Sequence, residues 1–148
     1  MKFIPIAKPF IDKTEEKYIR QAVQSTWVSS TGSFISEFES AFATLVGVRY
    51  AVSCSNGTAA LHLALLALGI GPGDEVIVPN LTFVATANVV KYVGATPILV
   101  DVTADTWTID PKEIKKNINS KTRAIIPVHL YGYPADMASI LVITKMYK

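Results

Sequence analysis

Residues 53–78, SCSNGTAALHLALLALGIGPGDEVIV, decide the fold. Tyr50 to Ser53 reads as a short strand, and Ser55, Asn56, Gly57 and Thr58 as a polar turn after it. Ala59 to Leu68 is a helix apolar nearly all round, stopped by Gly69. Gly71, Pro72, Gly73 and Asp74 form a connecting turn, and Glu75 to Val78 a second strand. A strand, a helix and a strand in close succession predict a parallel sheet with helices on its faces. A helix apolar on every side is expected to bury itself against the sheet and against a second body.

The same alternation continues downstream. Thr82 to Val93 is a predicted helix stopped by Gly94, and Pro97 to Val100 a strand ending at Asp101. Asp110, Pro111 and Glu113 supply an N-cap, an N1 proline and an acidic third position for the next helix. Arg123 to Val128 is a strand, and Asp136 caps a last helix carrying Ile140, Leu141 and Ile143. Upstream, Asp12 and Glu15 read as a capping box for a helix with Tyr18, Ile19, Ala22 and Val23 on one face, ending near Trp27. After the polar linker Ser29 to Ser33, Ile35, Phe38, Phe42 and Leu45 mark a second helix closed by Gly47. This divides the chain into a helical segment, 1–47, and part of an α/β body, 48–148.

Composition narrows the function classes. Half of the 148 residues are apolar and the mean hydropathy is +0.34. That is much apolar surface for a body of this size to bury. Net charge is +2, from 14 basic and 12 acidic residues, and the basic ones form no stripe, so charge points to neither nucleic acid nor membrane. The single cysteine, Cys54, excludes an internal disulfide framework. No run reaches the roughly 18 apolar residues of a membrane span. Pro5, Lys8 and Pro9 interrupt any signal-peptide core, so a cytoplasmic protein is expected.

The turn at Asn56, Gly57 and Thr58 is the strongest candidate site. A helix N-terminus presents unpaired N–H groups and partial positive charge, which suits a phosphate. The same residues also serve as ordinary caps. No Gly-Lys-Ser/Thr run follows, so this is not a Walker loop, and the glycines at 69, 71 and 73 precede a strand instead of following one. Phe83 follows Pro79 to Thr82, just past a strand's C-terminal end, where ligands of open α/β sheets gather. It reads either as a ring to stack on a flat heteroaromatic cofactor or as plain core. His129 reads as a proton carrier, as a polar floor for a ligand, or as a structural histidine bonded to a nearby loop. His62 reads as structural. Two histidines and one cysteine give no metal-ligand spacing.

Taken in order, several segments resemble one family. They are Trp27 to Gly32, Phe38 with Glu39, Ser55 to His62, Gly71 to Pro79, Thr82 to Ala85, Asp101 with Val102, Ile126 to Gly132, and Pro134 to Met137. The series resembles the DegT/StrS nucleotide-sugar aminotransferases, above all their perosamine-synthase-like members. The resemblance implies the N-terminal portion of the large domain of a fold-type-I transferase dependent on pyridoxal 5'-phosphate (PLP). It assigns Asn56, Gly57 and Thr58 to the cofactor phosphate and Phe83 to the pyridine ring. It places Ser29, Ser30, Thr31, Gly32 and His129 near the sugar nucleotide. It further implies a homodimer, nucleotide-sugar biosynthesis for polysaccharide or O-antigen, and amino transfer from glutamate to a nucleotide-linked keto-sugar.

The lysine and the carboxylate that PLP chemistry requires lie, in that family, beyond the last helix predicted here. The chain is therefore expected to be a truncated aminotransferase, inactive alone, with no catalytic residue assigned. Sugar dehydratases on the same scaffold, a non-catalytic phosphate-binding module and an inert fragment are the alternatives.

Overall fold

The computed structural model describes residues 3–5 and 7–147. Two compact units make up the chain, Met1–Ser53 and Cys54–Lys148.

The first unit holds two helices, α1 (Lys13–Gln24) and α2 (Ser33–Val46). The expected capping box is present. Asp12 accepts the Thr14 N–H at 2.6 Å, and its own N–H donates to Glu15 at 2.8 Å. Helix α2 ends at Gly47, whose φ of 74° suits glycine better than any other residue. Residues 50–53 form no strand. The Ser53 N–H does not enter a ladder but donates to Glu39 Oε1 at 2.8 Å, and the Ser53 hydroxyl donates to the same oxygen at 2.9 Å. A remote carboxylate has taken the donor that a neighbouring strand would need.

This clamp carries a pH prediction. The Ser53 amide, and after it the Ser53 hydroxyl, hold the Glu39 carboxyl below its ordinary pKa of 4.5. A depressed carboxyl pKa contributes stability above the unfolded-state value and loses it as pH falls through the folded-state value. Glu39→Gln is therefore expected to flatten the decline of the urea midpoint on acidification through the carboxylate range.

The second unit starts with α3 (Gly57–Ala67) and continues through β1 (Glu75–Pro79), α4 (Ala85–Tyr92), β2 (Thr96–Val100), α5 (Pro111–Asn117), β3 (Thr122–Ile125) and α6 (Met137–Met146). The strands form a parallel sheet in the order β2-β1-β3. Ile77 of β1 faces Ile98 on one side and Ile125 on the other. Alternation along β1 sends side chains to opposite faces. Val76 and Val78 pack with Leu65, Val89 and Val90 of α3 and α4. Ile77 packs with Ile114, Ile140 and Ile143 of α5 and α6. Both faces are covered, as a parallel sheet requires.

Several element boundaries differ from expectation, three of them around the candidate site. Helix α3 begins two residues earlier than predicted, because Asn56 rather than Thr58 caps it. Helix α4 starts at Ala85, not Thr82, since Thr82 and Phe83 belong to the turn that leaves β1. Strand β3 stops at Ile125, and only the Ile126 N–H extends it, bonding Ile77 O at 2.9 Å. Pro127 follows and has no N–H to continue the ladder.

Gly94 ends α4 with φ 81°, and a Cβ there would lie 3.0 Å from Pro72 Cγ. Gly94→Ala combines a left-handed backbone with that clash. It should cost roughly 1–3 kcal/mol in urea denaturation.

Candidate functional site

Parallel strands place their C-terminal ends together, and loops leaving those ends build ligand sites. Helix α4 crosses from β1 to its parallel neighbour β2, so its N-terminus lies at that end. Helix α3 feeds β1 through the tight turn of residues 68–74, so its N-terminus points the same way. Topology thus brings the Asn56–Thr58 turn, Phe83 and the loop after β3 to one end of the second unit.

At the start of α3, Asn56 accepts the Ala59 N–H through its side chain at 2.9 Å, and its carbonyl accepts the Ala60 N–H at 3.1 Å. Its amide nitrogen donates to Ser55 Oγ at 3.3 Å. The side-chain oxygen of Asn56 thus caps the helix. Among the described residues, the Gly57 and Thr58 N–H groups and the Thr58 hydroxyl have no hydrogen-bond partner. A Cβ at Gly57 would meet nothing within 4 Å. Unpaired N–H groups at a helix N-terminus beside open space can donate to an anion such as a phosphate monoester.

Phe83 is 75% exposed, a large ring left uncovered at the strand end. The core position also open to it in the sequence is not what it occupies. His129 lies beyond β3, at the start of a 3-10 turn, Leu130–Gly132. Its Nδ1 accepts the Ala135 N–H at 3.0 Å, which assigns the ring proton to Nε2. His129 thus pins a loop and retains one donor. His62 meets the Tyr92 ring edge-on at 5.7 Å, a packing contact between α3 and α4.

Ser29, Ser30, Thr31 and Gly32 lie in the first unit. The Ser29 hydroxyl donates to the Thr31 carbonyl at 3.2 Å and accepts the Thr31 N–H at 3.3 Å. With Trp27 and Phe34, Ser29, Thr31 and Gly32 line a groove of about 590 Å³. No group of three or more His, Cys, Asp or Glu residues that could hold a metal occurs among the described residues. No helix there is long and apolar enough to cross a membrane.

Two arrangements escaped the sequence reading. One is the Glu39–Ser53 clamp, for which nothing local was a signal. The other is a hydroxyl pair, Thr82 and Thr86, whose Oγ1 atoms lie 2.9 Å apart. Its i,i+4 spacing at a helix start was visible in the sequence.

Residues 9–148 match the DegT/DnrJ/EryC1/StrS aminotransferase family. The chain belongs to that family. It is 51% identical to GDP-perosamine synthase of Escherichia coli O157:H7 over 98% of its own length and 40% of that protein's. Against GDP-perosamine synthase of Caulobacter vibrioides the identity is again 51%, over 97% and 39% of the two lengths. The chain therefore spans about two fifths of these relatives. Among solved structures, the aminotransferase from Psychrobacter cryohalolentis superposes with a TM-score of 0.89 at 38% identity, over 96% of this chain and 36% of that one. NtdA from Bacillus subtilis, with bound cofactor PMP, gives 0.86 at 39%, over 93% and 32%. The fold is accordingly part of the α/β architecture of these aminotransferases, a parallel sheet flanked by helices.

Proposed function

We propose that this chain supplies the phosphate and ring contacts for PLP in a nucleotide-sugar aminotransferase that moves an amino group from glutamate to a nucleotide-linked keto-sugar. The observation that carries this reading is the pair of unpartnered N–H groups at Gly57 and Thr58, beside open space, in a chain of this family. PLP, when bound, supplies the electron sink for amino transfer. Gly57 and Thr58 hold its phosphate through backbone N–H groups, aided by the positive end of α3 and the Thr58 hydroxyl. Asn56 keeps that helix start in shape. Phe83 offers its face to the pyridine ring. His129 pins the loop after β3 through Nδ1 and keeps its Nε2–H as a donor for the substrate. Ser29, Ser30, Thr31 and Gly32 offer hydroxyl and amide groups to the sugar nucleotide. The complete protein, of which the helical segment 1–47 and the domain portion 48–148 are parts, works as a homodimer.

Every described lysine is exposed. Glu113, by hydrogen bond and by charge, raises the Lys116 pKa and keeps it protonated. A nucleophilic amine needs the opposite setting, burial or a cationic neighbour. On this reading none of the described lysines bonds covalently to PLP.

Equilibrium dialysis with PLP, pyridoxal and inorganic phosphate tests the reading. The expected result is saturable PLP binding, competed by phosphate and at least about tenfold tighter than pyridoxal. PLP binding no tighter than pyridoxal would overturn it. Specific nucleotide binding without PLP binding would instead favour a non-catalytic phosphate module. Borohydride treatment followed by mass spectrometry should label no single lysine.

A further inference from the structure

We propose that Thr86 is a positioning residue for the cofactor's ring, fixing the turn that presents Phe83 by gripping it on both sides. This rests on the role of Phe83 given above.

Thr86 is 4% exposed, one of the few polar side chains buried among the described residues, and its neighbours Ala85, Val89 and Val90 are apolar core. Valine has the same shape and would fill that space without a hydroxyl to satisfy. Packing therefore does not explain the oxygen; its partner does. Thr86 Oγ1 shares a hydrogen bond with Thr82 Oγ1 at 2.9 Å. The Thr86 N–H donates to the Phe83 carbonyl at 3.1 Å. One buried residue thus bonds the residue before the exposed ring and the backbone of the ring residue itself. The cap position, Val84, has no side-chain hydrogen bond, so α4 has no other polar side-chain anchor at its start. An exposed ring held this way reaches its ligand already ordered, which removes part of the entropic cost of stacking.

The test uses the whole chain labelled with 3-fluorophenylalanine, its Phe83 resonance assigned by its loss in Phe83→Leu. Thr86→Val should move that resonance toward its position in the unfolded chain and weaken PLP binding about three- to tenfold. Thr86→Ser, which keeps the hydroxyl, should restore both. A purely structural role would lower the unfolding midpoint and leave the resonance of the folded protein where it was. If Thr86→Val does not fold, Thr82→Val removes the same bond from the half-buried side and carries the same expectation. A Phe83 resonance and PLP affinity unchanged in either folded valine variant would overturn the proposal. If the parent chain binds no PLP, the functional reading fails, while the resonance still decides the role of Thr86.

Discussion

Gly57→Asp is expected to leave the fold intact or slightly more stable while lowering PLP affinity by about two to three orders of magnitude. The two effects have opposite signs because one side chain meets two different charges. Gly57 opens α3 outside the left-handed region, and its added Cβ would touch nothing within 4 Å. Replacing glycine in a helix restores about 0.5–1 kcal/mol of backbone entropy. A carboxylate at a helix N-terminus adds roughly 0.3–1 kcal/mol. For a bound phosphate the same carboxylate is a like charge. At a separation of ~4 Å and an effective dielectric near 20, the repulsion is about 4 kcal/mol, and each 1.4 kcal/mol or so is tenfold in affinity. Gly57→Ala, which adds bulk without charge, should fall well short of that loss. Thermal unfolding and PLP dialysis on the three proteins check the argument. Undiminished PLP binding in the aspartate variant would move the phosphate site elsewhere.

The second large effect separates two adjacent leucines. Leu65→Ala should cost about 2–5 kcal/mol, and Leu66→Ala less than about 1 kcal/mol, by urea denaturation. Leu65 is 3% exposed and packs with Val76, Val78 and Val89 beneath the sheet. Its loss leaves a cavity in a core that cannot fully collapse around it. Leu66, one residue on, is 52% exposed. Truncating it removes contact with water more than contact with protein. Similar losses in both variants would mean that something covers the outer face of α3 in solution.

That pair also marks where the sequence stops being informative. Leu61, Leu63, Leu65, Leu66 and Leu68 look alike in a helix apolar on every side, and nothing in their spacing chooses among them. The packing of α3 against β1 and α4 makes the choice, and it leaves Leu63, Leu66 and Leu68 open. Among the described residues of this unit, the expected second body for that face is not found. In the same way, Tyr50 to Ser53 has the composition of a strand, but a strand exists only when a neighbour supplies a ladder. Glu39, far along the chain, takes the Ser53 donor instead.

What the sequence settled by itself is what short-range chemistry settles. The Asp12–Glu15 capping box and the N-caps Asp110 and Asp136 form as read, and the structure supplies the partners of the last two, Lys112 and Ser139, within three residues. The alternation of Val76, Ile77 and Val78 likewise fixed which of them share a face before any partner was known. The order of motifs fixed the family. Tertiary structure alone decided which side of α3 is buried, that Phe83 stands clear of the core, that the His129 ring proton sits on Nε2, and that the Thr86 side chain is buried. Each depends on a group brought close by folding, and the free energy of a contact is set by what arrives at a few ångströms, not by what is next in the chain.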